Sequence, residues 1–465
     1  MKRNILLMLI LAMAAPTLNL KAQDISFENV SAGIEKIKAD GASGTVPTPA
    51  AVTPVAIAAP AATEQSGNKD QPSPFAEREW LVLVFINGRN NLAQAGKMDV
   101  NEMEMVGSTD KVTVTVELGL LNDRGNSSRF YIQKDTTPTA ANKLGAIISP
   151  AVKVPGSDMG SWKHFADFAK WSYRKYPAKK VLAVIWNHGS GRVDIGGADN
   201  GGAELGIAYD DLTKNFIRNK QLAMALKDIQ GAIGKKVSIY ASDACLMQMA
   251  SVAYEMRDSA ELIVGSEEIV LDAGFPYDGI LMHLTADPGM SPAALSSVMA
   301  DDFFTYYNAE TDGTTLSTIQ PAELPGFVRL LNDWVHAAAV PANRKKILGA
   351  EQEALAFEYG YNGNDTIGNA RSKDLYDFVD LVGKKAGNTS KVFAKGELLK
   401  DFIAKKLVIS NKTTQVGGDY DRAKGIAAYF PKMIYDSSYD ENLFSRDSLW
   451  DDFLKWKLDP AYKPK

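Results

Sequence analysis

Two uninterrupted apolar segments constrain the fold more than any other feature of the sequence. Residues 80–86 (WLVLVFI) and 181–186 (VLAVIW) carry no charged side chain, which is typical of strands buried on both faces of a parallel sheet. Helical spacing of apolar residues separates them from further predicted strands at 112–118, 130–132, 237–241 and 262–265. Because strands alternate with helices, the sequence predicts an α/β fold with a doubly wound, mainly parallel sheet flanked by helices.

Four regions are expected along the chain. Residues 1–22 have a basic start, a short apolar run and small residues before Gln23, the pattern of a secretory signal peptide. Residues 23–76 are rich in Pro, Ala, Thr and Ser and predict a linker or propeptide. The α/β sheet should occupy 77–290. Residues 291–465 should form a mainly helical region packed on it, with a last strand at 425–431 and at least one strand returning to the sheet.

Composition excludes several classes of function. The formal net charge of −5 comes without a basic patch, so no nucleic acid is expected as a partner. No apolar run after the N-terminus is long enough to span a membrane. We therefore expect an exported monomer that is periplasmic, cell-surface or extracellular. One cysteine in 465 residues also rules out an intramolecular disulfide.

That single cysteine, Cys245, follows the predicted strand at 237–241. Apolar residues then recur with helical spacing from Leu246 to Met256, which predicts a helix that begins beside the cysteine. The carboxyl edge of an open α/β sheet is where ligands bind. A helix N-terminus also favours the thiolate form of a cysteine. The pattern therefore favours a reactive thiol, although a buried and inert one is the alternative.

His188 follows the strand at 181–186 in the same way as Cys245 follows its own strand. If the two strands are neighbours, both side chains emerge at one edge, and the histidine is then a suitable base for a cysteine nucleophile. The backbone N–H groups of Gly189 and Cys245 could bind the oxyanion. A satisfied core histidine is the alternative. The other histidines do not follow a buried strand: they are His164, His283 and His336.

Several segments of the sequence, including those around His188 and Cys245, resemble motifs of a known enzyme family. The segments at 184–191 (VIWNHGSG), 242–247 (SDACLM), 265–268 (GSEE), 274–277 (GFPY) and 425–431 (GIAAYFP) are similar to those of the clostripain-like cysteine peptidases. These are secreted bacterial enzymes of the same clan as caspases, legumains and gingipains. The similarity extends from about residue 77 to 458.

The resemblance implies a caspase-like fold and a cysteine endopeptidase that cleaves after Arg or Lys through an acyl-thioester. His188 would be the base, Cys245 the nucleophile, and the Gly189 and Cys245 amides the oxyanion hole. Asp243 would line the S1 pocket, where a carboxylate pairs well with a guanidinium, and Asp272 would be a second acid there. Three alternatives stay open: Asp243 only holds a turn, the dyad cleaves after Asn or Asp, or the chain is a non-catalytic exported binding protein.

The resemblance also implies a zymogen, cut in the loop between the histidine and cysteine strands after a basic residue. Arg192 is the only basic residue in the glycine-rich part of that loop, very close to His188. Removal of the N-terminal segment after Lys69 or Arg78 is therefore the alternative. Protein or peptide substrates are the expected partners.

No cofactor should be required. Calcium stays open because some family members depend on it. Carboxylates that could bind it occur at Asp194, Asp199, Asp210 and Asp211, but no EF-hand pattern is present, and solvated turns are the alternative.

Overall fold

The computed structural model describes residues 76–137, 145–191, 206–309, 313–357, 371–414 and 420–463. These residues form fourteen strands: β1 (Arg78–Gly88), β2 (Val112–Leu120), β3 (Ser127–Tyr131), β4 (Ala151–Val154), β5 (Ala178–Trp186), β6 (Ile207–Asp210), β7 (Asn215–Ile217), β8 (Val237–Asp243), β9 (Ala260–Gly265), β10 (Thr315–Ile319), β11 (Ala356–Phe357), β12 (Ser372–Asp374), β13 (Val408–Thr413) and β14 (Ala427–Tyr429).

The α-helices of the described residues lie between these strands and after them. They are α1 (Ala93–Val106), α2 (Trp162–Lys175), α3 (Asn219–Ile233), α4 (Ala250–Glu255), α5 (Tyr277–Ala286), α6 (Pro292–Tyr307), α7 (Leu324–Ala338), α8 (Arg344–Glu353), α9 (Leu375–Ala386), α10 (Lys391–Phe402), α11 (Leu443–Asp447) and α12 (Trp450–Leu458). None of them combines the length and apolar character that crossing a bilayer requires.

Nine strands form one sheet in the order β13-β10-β9-β8-β5-β1-β2-β3-β4. The five central strands, β9 to β2 in that order, all pair in parallel, while the outer pairs are antiparallel. The two apolar segments of the sequence are β1 and β5, which lie side by side in the middle. The predicted doubly wound, mainly parallel sheet is therefore confirmed.

The apolar segments are uninterrupted because helices cover both faces of the sheet. Side chains alternate between faces along a strand, and in β1 Leu83 and Phe85 join one apolar core while Val84 and Ile86 join the other. All four are at most 1% exposed. Each face needs an apolar residue, so no position within the run tolerates a polar one.

The C-terminal region completes the sheet in an unexpected way. The predicted strand at 425–431 exists as β14, but it pairs with β12 in a separate three-stranded sheet. The strands that return to the main sheet are β10, which pairs antiparallel with β9, and β13, which pairs antiparallel with β10. Ser317 of β10 pairs with Gly265 at the end of β9. The main sheet thus draws strands from both sides of residue 291.

The signal peptide, the linker or propeptide up to residue 75, and residues 192–205 of the glycine-rich loop lie outside the described residues.

Candidate active site

The strand register brings His188 and Cys245 to the same level of the sheet. β5 and β8 are parallel neighbours, and Trp186 at the end of one is paired with Asp243 at the end of the other. His188 and Cys245 each come two residues later, and the Asn187 amide donates to the Asp243 carbonyl oxygen at 3.2 Å. The condition set by the sequence analysis, that the two strands are neighbours, is met.

The segment after Cys245 is a loop, and the predicted helix start beside the cysteine is wrong. β8 ends at Asp243, and α4 begins only at Ala250 and is six residues long. Leu246 has a positive φ of 64°, which an α-helix does not allow. The apolar side chains at 246, 247 and 249 are buried in the core as parts of this loop. Their helical spacing therefore reflects burial of loop residues and not a helix.

Buried hydrogen bonds fix this loop in place. The amides of Leu246 and Gln248 donate to the carbonyl oxygens of Glu268 and Ser266 at 3.1 and 2.9 Å. The fully buried Gln248 side chain donates to the Ser317 carbonyl oxygen at 2.9 Å. Buried polar contacts of this kind hold a segment in one geometry. The loop that carries the thiol is therefore fastened to the segment after β9 and to β10.

The Cys245 thiol is neutral in this arrangement. Its sulfur is partly buried and donates to the Val270 carbonyl oxygen at 3.8 Å. Burial first, and then the charge of Glu268, raise the pKa of the thiol to about 11, although the nearby Gly189 and Cys245 amides act in the opposite direction. The predicted bias toward thiolate is therefore wrong for this state, since no helix N-terminus adjoins the sulfur.

Gly189 approaches the Cys245 backbone closely. A Cβ atom at Gly189 would lie 2.5 Å from the Cys245 carbonyl oxygen and 3.0 Å from the Cβ of Ala244, so any side chain would force the two segments apart. The glycine also forms a bridge to Ile207 at the start of β6. This close approach places its amide next to the sulfur.

The imidazole of His188 is partly buried and bonded to a residue from another loop. Its Nε2 lies 2.8 Å from Oδ1 of Asn91. Burial lowers the pKa of His188, and the charges of Asp272 and Asp211 oppose that shift. Within the part of the chain that the structure describes, no hydrogen bond joins the imidazole to Cys245. Base and thiol are thus both neutral and not yet linked.

The neutral thiol leads to a prediction for chemical labelling. We expect iodoacetamide to alkylate Cys245 slowly at pH 7, with a rate that rises about tenfold per pH unit toward pH 11, because only the thiolate reacts. Mass spectrometry of the intact protein over a pH series measures this rate. A rate that is already at its plateau at pH 8 would contradict the neutral resting thiol. A free cysteine-containing peptide is the control.

Asp243 is buried beneath the segment at 274–277, which leads into α5. It is 3% exposed, and its Oδ2 accepts from the Phe275 amide at 3.0 Å and from the Tyr277 hydroxyl at 2.9 Å. Burial raises the pKa of this carboxyl to about 7, and the negative charge of Glu102 adds to the shift. Its Oδ1 has no hydrogen-bond partner among the described residues. Asp243 therefore holds a turn with one oxygen and leaves the other available.

Asp272, the second predicted acid, is exposed. Its charge acts on His188, and no hydrogen bond or ion pair of its carboxylate occurs among the described residues. The structure thus places Asp272 on the rim near the histidine and Asp243 below Gly274.

Residues that the sequence analysis did not select also surround this site. Asp99 and Glu102 of α1 are 1% and 2% exposed, and a Cβ atom at Gly274 would lie 3.1 Å from Oδ2 of Asp99 and 2.9 Å from Oδ2 of Asp243. Two acids three positions apart on a helix share one face, and this spacing could have identified them. Asn91 belongs to a polar segment that directly follows β1, the same signal that identified His188.

Asp210, one of the carboxylates that could bind calcium, is already engaged within the protein. Asp210 uses both carboxylate oxygens internally: Oδ2 accepts from Arg89 and the Met159 amide, and Oδ1 accepts from the Leu212 and Thr213 amides. Across the described ranges no group of three or more acidic, His or Cys side chains is arranged to hold a metal ion. Asp194 and Asp199 lie outside those ranges.

Comparison with known proteins identifies the family of this chain. The model of the clostripain family matches residues 84–456. Clostripain from Hathewaya histolytica is 32% identical over 229 residues, which cover 45% of this chain and 42% of that protein. The chain thus spans less than half the length of this curated relative.

Solved structures share the fold. A secreted C11 cysteine protease from Bacteroides thetaiotaomicron, in complex with an irreversible peptide inhibitor, is 19% identical with a TM-score of 0.56, covering 82% of this chain and 99% of that one. An inactive zymogen C11 protease from Parabacteroides distasonis is 20% identical with a TM-score of 0.57, covering 80% and 98%. The fold is therefore that of the caspase-like C11 proteases, and the family match over most of the sequence establishes that the chain belongs to the clostripain family.

Proposed function

We propose that this chain is a secreted cysteine endopeptidase that hydrolyses peptide bonds after Arg or Lys, with His188 as base and Cys245 as nucleophile. The observation that carries the proposal is the register of β5 and β8, which puts the two residues at equal heights on adjacent strands. A nucleophile and a base at the carboxyl edge of a parallel sheet match the usual location of active sites in such folds.

The reaction follows from the two neutral groups. His188 takes the proton of the thiol as sulfur bonds to the substrate carbonyl carbon, and the carbonyl oxygen becomes an oxyanion. The C–N bond then breaks, the amine leaves with the proton from His188, and an acyl-thioester remains on Cys245. Water, deprotonated by His188, attacks the thioester, and the sulfur leaves and recovers the proton. The low pKa of His188 keeps the imidazole in its basic form at neutral pH.

The oxyanion hole requires the sulfur to move. In the resting state the Gly189 and Cys245 amides lie near the sulfur and lower the pKa of the thiol. When the sulfur leaves Val270 and binds the carbonyl carbon, both N–H groups become available for the oxyanion. Donors that are already fixed in place stabilise the developing charge without reorganisation. The close approach of Gly189 to Cys245 supports this role.

Negative charge around Asp243 supports the proposed preference for Arg or Lys. Oδ1 of Asp243 is buried without a hydrogen bond among the described residues, and Glu102 lies close enough to raise the pKa of Asp243 by its charge. A guanidinium or ammonium would be attracted here, whereas an Asp side chain would be repelled. Asp272 would add charge at the rim. An aspartate-specific pocket is therefore disfavoured.

Activation by proteolysis is part of the proposal, as is export by the N-terminal signal peptide. The separated thiol and imidazole suit a precursor. Arg78 is a poor site for the activating cut because it is the first residue of β1 and pairs with Ala178. Lys69 and Arg192 stay the candidates. No step of the proposed reaction requires a cofactor.

A panel of reporter peptides tests the proposal. The mature protein, before and after mild trypsin treatment, should release reporters that end in Arg or Lys at least about 100-fold faster than those ending in Asn or Asp, because a buried carboxylate without its cation is costly. Release after Asn or Asp would overturn the pocket but keep the dyad. Release from none would favour a non-catalytic binding protein.

A further inference from the structure

We propose that Asn91 is a positioning residue that fixes the proton of the neutral His188 on Nε2 and so makes Nδ1 the basic atom. This inference rests on the proposed function. Its starting point is the 2.8 Å contact between Oδ1 of Asn91 and Nε2 of His188. An amide oxygen only accepts hydrogen bonds, so Nε2 must carry the proton, and the lone pair of Nδ1 stays available for the thiol.

The backbone that carries Asn91 is firmly held although its side chain is exposed. The preceding Arg89 forms an ion pair with Asp210 at 2.9 Å, and both side chains are fully buried. Asn90 is 3% exposed, and its Oδ1 accepts from the Leu92 amide at 3.0 Å. Buried, hydrogen-bonded neighbours fix the position of a side chain that acts on another group.

The sheet explains why Asn91 reaches His188. β1 and β5 are parallel neighbours, with Ile86 paired with Trp186. Their carboxyl ends meet at one edge, so the loop after β1 lies beside the residues after β5. Asn91 is not needed to start α1, because the N-cap of this helix is Leu92 and no side chain caps it. The contact with His188 is the only side-chain hydrogen bond that Asn91 makes among the described residues.

A neutral acceptor suits this position better than a carboxylate. The charges of Asp272 and Asp211 already work against the burial that lowers the pKa of His188. A third carboxylate, in direct contact, would favour the protonated imidazole further. Asn91 orients the ring without adding charge, so the histidine stays a base at neutral pH.

Three variants test this role in the full chain, with Arg-ending reporters. Asn91→Ala should lower kcat by about tenfold to 100-fold, because a ring that rotates freely is seldom aligned, while KM changes less than twofold. Asn91→Asp should restore part of kcat at high pH and move the acidic limb of the kcat profile to higher pH. Gln94→Ala, on the exposed first turn of α1, is the matched control and should leave both constants unchanged.

The outcomes separate this inference from the proposed function. If the wild-type protein cleaves no reporter, the proposed function fails. If the wild type is active and Asn91→Ala keeps its kcat and pH profile, Asn91 has no positioning role and the inference is overturned.

A spectroscopic readout is independent of turnover. In the Cys245→Ala background, long-range ¹H–¹⁵N spectra of histidine-labelled protein should show neutral His188 protonated on Nε2. The signal is assigned with His188→Ala. In Asn91→Ala both tautomers should appear. A pure Nδ1–H tautomer in the presence of Asn91 would overturn the inference.

Discussion

Replacing Cys245 with alanine should lower the turnover of Arg and Lys reporters by at least about 10⁴-fold, since no other group can form the acyl-enzyme. The measurement is kcat from initial rates, with each protein purified and activated in the same way. His188→Ala should cause a loss of similar order, because base and nucleophile act as a unit. The double variant should then be little worse than either single one.

Folding should survive this change, which makes the result interpretable. The thiol is only partly buried, and the one hydrogen bond of its side chain to the described residues is a long S–H···O contact of 3.8 Å. We expect Cys245→Ala to unfold within a few degrees of the wild type in a thermal melt. Cys245→Ser, which keeps a donor toward Val270, is the matched control and should be equally inactive. Residual activity above one tenth of the wild type in either variant would remove Cys245 from the mechanism.

Replacing Asp243 with asparagine should lower kcat/KM for Arg and Lys reporters at least about 30-fold, because removing one partner of a buried charge pair costs about 2–5 kcal/mol. Asparagine keeps an oxygen that can accept from the Phe275 amide or the Tyr277 hydroxyl, so the turn above it keeps part of its support. A reporter ending in citrulline, the neutral isostere of arginine, is the control substrate and should be affected much less. Equal losses for both reporters would mean that Asp243 only holds the turn.

The preference of the same pocket for Arg over citrulline should increase with pH. Burial raises the pKa of Asp243 to about 7, so in the empty pocket the carboxyl is protonated below pH 7 and charged above it. A cation binds the charged form. The ratio of the Arg rate to the citrulline rate should therefore rise through pH 7 and level off above pH 8, while protonation of His188 affects both reporters alike and cancels.

The sequence predicts long periodic segments well because the burial of their apolar side chains determines their structure. β1, β5 and α3 are buried along one or two whole faces, and their apolar patterns record that burial directly. The sequence analysis does not predict the short strands β4, β6, β7, β10, β11, β12 and β13. In β10, for example, Thr315, Ser317 and Thr318 are buried through hydrogen bonds and pairing, so the hydrophobic pattern is weak.

In the candidate site, too, the sequence identifies some residues and not others. His188 and Cys245 could be selected because each follows a strand that the pattern reveals. The false helix after Cys245 arose because loop side chains can be buried at helical intervals without forming a helix. The dual contacts of Asp243 depend on a turn 32 to 34 residues later in the chain, and no local pattern records such a distant partner.

The way β10 covers β9 limits how this protein can be divided. A shorter chain that stopped before residue 291 would leave the backbone groups of β9 unpaired along one edge, which is a template for aggregation. It would also remove the two hydrogen bonds from the Gln248 side chain to Ser317 that hold the loop after Cys245. The second half of the chain is thus a structural part of the main sheet and its core. Any truncation or fusion junction should therefore be placed outside residues 77–458.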